Sequence, residues 1–347
     1  MITGLIISVL YACFVMACLI GVLKFNSSPR CLNEGRRGSV HVIISVYNEE
    51  NRVEALIRDL VGQSFKGFDV TIIDDGSTDA TLEKLSQFTV CLGNFNIIES
   101  EHKGKDAVIK EALRNIQDGL VIITDADCRH PQFWIESVVA EADETDASLL
   151  IGAVKIDGTH PLQATEFLSV QAVTIGSANI NHPLICGGAN LAFRAEAYHR
   201  VSNDVKENEN GTDMFLLEAM KRSGEKIVVV NSVDAIVETS GKESLREFLT
   251  QRGRWSKKGV KYTDYEILAA GVLNILMQIV LIVAAVCSVM HVELLCFWLL
   301  KFCIDAPLLS AVAIKFNTPQ YIPLIPVVSL IYPFYVLTTL IYNFVKK

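Results

Sequence analysis

Two aspartates separated by one alanine, Asp125 and Asp127, directly follow the apolar segment 120–124. Two carboxylates this close together at the end of a strand can bind a hard divalent cation through oxygen. Such a cation would neutralise the charge of a diphosphate as it leaves in a transfer reaction. The pair therefore indicates a Mg²⁺ or Mn²⁺ site. Taken alone, Asp-x-Asp fits an ordinary polar turn better, because aspartate is common in turns.

The segments that must position these carboxylates alternate in type along the chain. Four β-rich segments are separated by helix-compatible ones, and they are 40–46, 70–73, 97–98 and 120–124. This alternation predicts an α/β domain whose mostly parallel sheet is covered by helices on both faces. Ligands of such sheets bind beyond the carboxyl ends of the strands.

Polar residues follow three of these strands, and all three clusters are predicted at the same sheet edge. The clusters are Tyr47, Asn48 and Glu49; Asp74 and Asp75; and Asp125 and Asp127. One cluster would fit a helix cap or a turn, but three at one edge indicate a binding site. No Gly-x-Gly-x-x-Gly follows the first strand, so a nicotinamide-binding fold is unsupported. Paired aspartates also occur in phospho-acceptor receiver domains, which lack apolar spans and end near one sheet.

The composition of the 347 residues indicates a membrane protein. Hydrophobic residues make up 50% and charged residues 20%, whereas soluble domains carry about a quarter charged residues. The net charge of −8, from 31 basic and 39 acidic residues, argues against a nucleic-acid partner. The nine cysteines include no Cys-x-x-Cys pair, which argues against a zinc ribbon or a thioredoxin-like site.

The apolar residues concentrate in four segments near the two ends of the chain, at 2–23, 267–290, 294–314 and 322–345. Each is near the length that crosses a bilayer as a helix. The third contains Lys301 and Asp305, four residues apart, which could pair inside a helix bundle. The last contains three prolines, which predict a kinked or re-entrant helix. The first segment lacks a preceding basic residue and a clear cleavage site, so we expect an anchor rather than a signal peptide.

Basic residues flank the polar region on both sides. They are Lys24, Arg30, Arg36 and Arg37 before it, and Lys257, Lys258 and Lys261 after it. The positive-inside rule therefore predicts that the polar region is cytosolic in an integral membrane protein, which we expect in a bacterial inner membrane. Lys346 and Lys347 fit this orientation less well if all four segments cross.

The motifs taken together resemble one known family. The residues 43–50, the run Asp74–Asp79, the triplet Lys103–Lys105 and Asp125-Ala126-Asp127 resemble the inverting family 2 glycosyltransferases, which have a GT-A fold. Gly187 to Asn190 look like the glycine-rich acceptor-side turn of that family. Gly211-Thr212-Asp213 stands where relatives carry an acidic pair, and Thr212 departs from that pattern.

A further motif resembles membrane-bound, often processive members of the same family, such as cellulose and hyaluronan synthases. It is Gln-x-x-Arg-Trp, formed here by Gln251, Arg254 and Trp255. The three residues share one face of a predicted amphipathic helix at 244–258, while Phe248 and Arg252 line an adjacent face. The same pattern also fits a surface helix with Trp255 as a membrane-interface anchor. The resemblance covers about residues 40 to 258.

The resemblance implies a role for each motif residue. For the donor it implies Tyr47, Asn48, Glu49, Asp74, Asp75, Lys105, Asp125, Gln251, Arg254 and Trp255; for the metal, Asp127 and Asp125; for the acceptor side, Gly188, Ala189, Asn190 and Trp255. Asp213 is implied as the catalytic base that takes a proton from the acceptor hydroxyl. From the chain pattern alone, Asp213 fits a cap of the helix 214–222 better.

These expectations combine into one hypothesis. The chain would have a transmembrane helix at 1–24, a GT-A domain at 38–240, an interface helix at 241–262 and about three membrane helices at 266–345. It would be an inverting, metal-dependent enzyme that moves a sugar from a nucleotide-diphosphate donor, expected to be a UDP-sugar, to a lipid or glycan acceptor. The alternatives are a processive polysaccharide synthase and an inactive membrane subunit or transporter component.

Overall fold

The computed structural model describes residues 1–25, 38–101, 104–205, 212–259 and 261–345. The predictions for Arg30, Arg36, Arg37, Lys103, Gly211, Lys346 and Lys347 lie outside the described residues. The chain divides into two compact units. The sheet unit comprises the described residues of 38–155 and 186–240, and the helix unit comprises those of 1–25, 156–185 and 241–345. Residues 156–185 therefore group with the apolar helices, although the sequence placed them within a domain at 38–240.

A mixed, mostly parallel sheet forms the centre of the sheet unit. The strands are β1 (Val40–Val46), β2 (Asp69–Asp74), β3 (Phe95–Glu99), β4 (Leu120–Asp125), β5 (Cys128–Arg129), β6 (Leu149–Ile151), β7 (Val154–Ile156), β8 (Asn190–Arg194), β9 (Ile227–Val229) and β10 (Val237–Thr239). In the part of the chain that the structure describes, seven strands form one sheet in the order β3-β2-β1-β4-β8-β6-β9. The pairs β1–β2, β1–β4, β2–β3 and β6–β9 are parallel, whereas β8 runs antiparallel to β4 and β6. The predicted α/β fold class is confirmed.

Helices cover the sheet, and others form the helix unit. The helices are α1 (Ile2–Leu23), α2 (Val53–Val61), α3 (Thr81–Thr89), α4 (Lys105–Leu113), α5 (Trp134–Thr145), α6 (Pro161–Ala178), α7 (Ala195–Val201), α8 (Thr212–Arg222), α9 (Leu245–Gly259), α10 (Tyr265–Cys287), α11 (Cys296–Lys315) and α12 (Ile325–Val345). Ile44 of β1 belongs to one fully buried cluster with Leu56 and Leu60 of α2. Ile43 points to the opposite face and is also fully buried, because both faces of a parallel sheet are covered.

The helix unit contains the apolar segments. Within the described residues, four helical segments are long and apolar enough to cross a membrane: Ile2–Leu23, Tyr265–Cys287, Val292–Lys315 and Pro319–Leu340. The predicted pairing of Lys301 with Asp305 is confirmed, since the two side chains form a buried ion pair on α11. The hydroxyl of Tyr11 on α1 donates to Asp305 Oδ1 at 3.0 Å. The carboxylate of Asp305 is thus satisfied by a lysine of its own helix and by a hydroxyl of α1, as an apolar environment demands.

Helix α6 packs backbone to backbone against α1. A Cβ added to Gly21 would lie 1.9 Å from the carbonyl oxygen of Gly176, so glycine is required where the two helices meet. The side chain of Asn179, just beyond α6, donates to the carbonyl of Gly21 at 3.2 Å. These contacts attach residues 156–185 to the apolar helices.

Candidate active site

The loops after β1 and β2 are joined by hydrogen bonds at the carboxyl edge of the sheet. The backbone N–H of Asn48 donates to Ser77 Oγ at 2.9 Å, and Asn48 Oδ1 accepts from the N–H of Thr78 at 2.8 Å. Asn48 has a φ of +55°, a conformation that asparagine tolerates better than most residues. Tyr47 precedes it with 46% of its surface exposed. The paired loops therefore present an aromatic ring at the predicted ligand edge.

The two aspartates at the end of β2 are buried and have different roles. Asp75 Oδ2 accepts from the N–H of Gly104 at 2.9 Å, which fixes the residue preceding α4. Asp74 Oδ2 accepts from the N–H of Ser77 at 3.1 Å. Among the described residues, Asp74 Oδ1 is buried without a hydrogen-bond partner. A buried acceptor without a partner costs free energy unless a ligand donor satisfies it.

A lysine and two carboxylates converge beside these loops. Lys105, the first residue of α4, forms an ion pair with Asp125, and their side chains are 40% and 35% exposed. Burial acts to lower the pKa of Lys105, but the negative charges of Asp125, Asp213 and Asp106 outweigh it, so the pKa is raised. The ammonium group lies 3.5 Å from where a Cβ of Gly188 would be. Lys105 thus links the end of β4 to the turn that precedes β8.

Asp213 lies in the first turn of α8 and faces this cluster. Its Oδ2 accepts from the backbone N–H of Gly188 at 3.1 Å, and its Oδ1 accepts from the N–H of Met214 at 2.9 Å. The helix begins at Thr212, so Asp213 lies within its first turn and does not cap a helix 214–222 as the chain pattern predicted. Its carboxylate lies beside the acceptor-side turn. A carboxylate in this position can accept a proton from a bound hydroxyl if that hydroxyl comes within hydrogen-bond reach.

The residues present fit a divalent cation only if a ligand completes its coordination. Within the described ranges, no group of three or more His, Cys, Asp or Glu side chains could hold a metal. Mg²⁺ is commonly held by one or two carboxylates together with substrate phosphates and water. Asp125 and Asp127 supply two carboxylates, and Asp125 is paired with the ammonium of Lys105 in this structure. The donor set therefore fits a metal that arrives with a diphosphate.

The turn before β8 is held from inside the protein. Asn190 is 1% exposed; its Nδ2 donates to the carbonyls of Ala153 and Ala235, both at 2.8 Å, and its Oδ1 accepts from Trp134 Nε1 at 3.0 Å. The Asn190 side chain therefore ties the sheet unit together and does not face an acceptor. Gly188 and Ala189 present their backbone at the turn.

Sequence reasoning missed His130, which lies behind the aspartate pair. Its Nε2 is 2.8 Å from the hydroxyl of Thr124, and its ring packs against Trp134 with centroids 4.3 Å apart. Burial lowers the pKa of His130 to about 4, so the ring is neutral near pH 7. No signal in the sequence distinguishes this histidine from any other core histidine.

Helix α9 in the helix unit carries Gln251, Arg254 and Trp255, whereas the other predicted donor residues lie in the sheet unit. Arg254 is exposed and Trp255 is 37% exposed. The structure brings Gln251 and Trp255 together around Arg252: Gln251 Oε1 accepts from the Arg252 guanidinium at 3.3 Å, and that guanidinium lies 4.2 Å from the Trp255 ring centroid.

Arg252 itself forms a buried ion pair with Glu166 of α6. Its guanidinium also lies 4.9 Å from the Phe248 ring centroid, which agrees with the predicted shared face of these two residues. Glu166 was not identified from the sequence, because its partner lies 86 positions along the chain.

Comparison with known proteins supports this reading of the fold. Residues 41–200, under half of the chain, match the sequence model described as Glycosyl transferase family 2. The "Glycosyltransferase AglE" of Haloferax volcanii is 30% identical over 125 residues, which are 35% of this chain and 40% of that protein. The "Undecaprenyl-phosphate 4-deoxy-4-formamido-L-arabinose transferase" of Salmonella paratyphi A is 32% identical over 110 residues, 30% of this chain and 34% of that protein. These matches span less than half the length of either relative.

A solved structure resembles most of the chain. It is the mannosyltransferase PcManGT from Pyrobaculum calidifontis in complex with GDP-Man and Mn²⁺, with a TM-score of 0.58 and 17% identity, covering 91% of this chain and 96% of that one. At this identity the likeness shows the fold alone, and it confirms the predicted GT-A type of fold with apolar helices at both ends.

Proposed function

We propose that the protein is a membrane-bound inverting glycosyltransferase that moves a sugar from a nucleotide-diphosphate donor, expected to be a UDP-sugar, to a hydroxyl of a lipid or glycan. The convergence of Lys105, Asp125 and Asp213 at the carboxyl edge of the sheet carries this proposal. The family match over residues 41–200 and the four apolar helices support it.

On the donor side, Tyr47 stacks on the base and the unpartnered oxygen of Asp74 accepts a hydrogen bond from the nucleoside. Lys105 exchanges Asp125 for the diphosphate, since a flexible ammonium suits phosphate oxygens. Asp125 and Asp127 would hold Mg²⁺ or Mn²⁺, which supplies positive charge to the departing diphosphate.

On the acceptor side, the hydroxyl oxygen attacks the anomeric carbon as the bond from that carbon to the diphosphate oxygen breaks. The electron pair of the broken bond leaves with the diphosphate, and the hydroxyl proton passes to Asp213. One direct displacement without a covalent enzyme intermediate inverts the anomeric configuration. Gly188 keeps Asp213 oriented for this transfer.

Helix α9 provides the membrane-side part of the proposal. Arg254 is exposed and suits a leaving diphosphate, because a guanidinium presents a planar fork of donors. Gln251 also belongs to the donor side of the proposal, and Trp255, whose ring lies 4.2 Å from the Arg252 guanidinium, borders the acceptor. The Gln-x-x-Arg-Trp pattern favours processive transfer, whereas four candidate spans give little material for a polysaccharide channel.

A second candidate acceptor is a polyprenyl phosphate, because the Salmonella relative is named as an undecaprenyl-phosphate transferase. A phosphate oxygen is already ionised near pH 7, since the second pKa of a phosphate monoester is about 6. Such an acceptor needs no general base. The two acceptors therefore differ in how strongly they depend on Asp213.

The test is transfer in membranes that contain the protein, incubated with labelled UDP- and GDP-sugars, with and without excess chelator. We expect a labelled lipid or glycan product that disappears with chelator and returns with Mg²⁺ or Mn²⁺. Asp127→Ala should lose about a hundredfold or more in rate, as when a group that stabilises developing charge is removed. Sizing the products separates single transfer from processive synthesis. Full activity in excess chelator would contradict the metal assignment, and no product from any donor would contradict the function.

The sheet unit is placed in the cytosol under this proposal, where nucleotide sugars are made. Cys91 is exposed on the sheet unit, and it can serve as a reporter once the other eight cysteines are replaced. An impermeant maleimide should label it only after the cells are permeabilised. A single cysteine at the exposed His291, between α10 and α11, is the control and should react in intact cells. Rapid labelling of Cys91 in intact cells would reverse the orientation.

A further inference from the structure

One buried hydroxyl joins the two turns of the candidate site. Thr124 is 0% exposed and immediately precedes the aspartate pair. Its hydroxyl donates to the carbonyl oxygen of Ala189 at 2.8 Å and lies 2.8 Å from His130 Nε2. Because the hydroxyl proton is committed to Ala189, the hydroxyl oxygen accepts the Nε2–H of His130. A single side chain therefore bonds both the segment after β4 and the turn before β8.

On the donor side, this contact closes the turn that carries both carboxylates. The hydrogen bond between Thr124 and His130 spans Asp125 and Asp127. Asp59 of α2 holds the same end of the turn, because its Oδ2 accepts from the backbone N–H of His130 at 2.9 Å. The aspartate turn is thus fixed at its far end by both a side chain and the backbone.

On the acceptor side, the same hydroxyl holds the turn that orients Asp213. Ala189 follows Gly188, whose N–H donates to Asp213 Oδ2 at 3.1 Å. His130 packs against Trp134, and Trp134 Nε1 donates a hydrogen bond to Asn190 at the end of this turn. A shift of Ala189 would move Gly188 and with it the partner of the Asp213 carboxylate.

We infer that Thr124 and His130 are positioning residues that set the separation between the aspartate turn and the Asp213 carboxylate. The inference rests on the proposed function, because it concerns the alignment of donor and base. A base must come within about 2.6–3.2 Å of the proton that it takes. Misplacement by about 1 Å can cost about a hundredfold in rate.

The decisive variant is Thr124→Val, which keeps the shape of the side chain and removes the hydroxyl. Thr124→Ser restores the hydroxyl, and His130→Phe keeps an aromatic ring against Trp134 while it removes the donor to Thr124. The matched control is Thr89→Val on α3, where a buried hydroxyl donates to the carbonyl of Leu85 within its own helix. The four variants and the wild-type protein are purified in detergent. Thermal unfolding first identifies a temperature at which all of them are folded, and their activities are compared at that temperature.

We expect kcat of Thr124→Val to fall about ten- to a hundredfold while the affinity for UDP with Mn²⁺ stays within about threefold, because alignment rather than binding is lost. Thr124→Ser should recover most of kcat, His130→Phe should resemble the valine variant, and Thr89→Val should keep full kcat. Hydrogen exchange of the peptide 186–191, measured without nucleotide or metal, should be about tenfold faster in Thr124→Val than in the control, since the turn opens more often.

Wild-type kcat in folded Thr124→Val, or unchanged exchange of 186–191, would overturn the inference. Failure of the proposed function gives a different result: the wild-type protein would bind neither UDP nor GDP and would transfer no sugar. The exchange measurement would then still decide whether Thr124 holds the turn.

Discussion

The backbone N–H of Gly188 donates to Asp213 Oδ2 at 3.1 Å. The ammonium of Lys105 lies beside the same residue, 3.5 Å from where a Cβ of Gly188 would be. The proposed base is therefore oriented by backbone rather than by a flexible side chain, beside a cation that also pairs with Asp125. The proposed base Asp213 and the proposed diphosphate-binding Lys105 therefore both lie next to Gly188.

Replacing Asp213 by asparagine tests whether Asp213 acts as a catalytic base or only stabilises the structure. Asn has nearly the same shape, but its single amide oxygen can accept from Gly188 or from Met214 and not from both, so the fold should persist with about 1–2 kcal/mol less stability while UDP affinity changes little. Asn cannot take a proton near pH 7, so transfer to a hydroxyl should fall by about 10²–10⁴. Calorimetry of UDP binding beside a turnover assay measures both effects. A well-folded, active Asp213→Asn protein would refute the base and favour a phosphate acceptor.

Replacing Lys105 by methionine should weaken binding of the nucleotide diphosphate. A charge-assisted hydrogen bond contributes about 1.5–3 kcal/mol, so the dissociation constant for UDP should rise about ten- to a hundredfold. Lys110→Met, five positions further along the same helix, is the matched control and should bind UDP normally. Calorimetry gives the UDP dissociation constant of each variant, and a second salt concentration shows whether the difference between them is electrostatic. Equal affinities for the two variants would remove Lys105 from the donor site.

The positions of the strands and of the edge carboxylates could be predicted, because apolar β-rich runs and the polar residues after them are local patterns. β1 to β4 occur where these patterns predict them. Which of two adjacent carboxylates keeps an unpartnered oxygen could not be predicted. The resemblance implies both Asp74 and Asp75 for the donor. In the structure Asp75 Oδ2 accepts from the N–H of Gly104, whereas the unpartnered oxygen belongs to Asp74.

Partners that lie far apart in the chain were also beyond prediction. The resemblance of residues 187–190 to a glycine-rich acceptor-side turn implies an acceptor role for Asn190, yet its amide bonds to segments 37 and 45 positions away. A short motif does not show whether a side chain points into the site or into the core. Tertiary contacts decide that orientation.

The buried, neutral His130 predicts a loss of stability in mild acid. Its pKa is about 4 when folded and about 6.5 when unfolded. Between these values the unfolded chain binds more protons, so the free energy of unfolding rises with pH. The neutral His130 therefore contributes about 3 kcal/mol to the free energy of unfolding above about pH 6.5, and this contribution is lost as the pH falls to about 4.

Thermal unfolding in detergent between pH 7 and pH 4.5 measures this slope. His130→Phe should be less stable at pH 7 but should show a shallower decline toward acid, because the titrating group is gone. Parallel curves for the wild-type and variant proteins would show that His130 does not contribute to the acid sensitivity.

The buried ion pair between Arg252 and Glu166 should make α9 sensitive to the loss of either partner alone. Removal of one partner leaves the other charge buried and costs about 3–5 kcal/mol, so Arg252→Met and Glu166→Gln should each lower the melting temperature by roughly 10 °C. The double variant should lose much less than the sum of the two, because neither charge is then left unpaired. Arg246→Gln, an exposed arginine on the same helix, is the control and should change stability by less than about 0.5 kcal/mol.

The Trp255 ring lies 4.2 Å from the Arg252 guanidinium, so its fluorescence in the folded protein should also shift in Arg252→Met and remain unchanged in Arg246→Gln. Single variants that melt at the wild-type temperature with unaltered Trp255 emission would show that α9 is held by its apolar contacts instead.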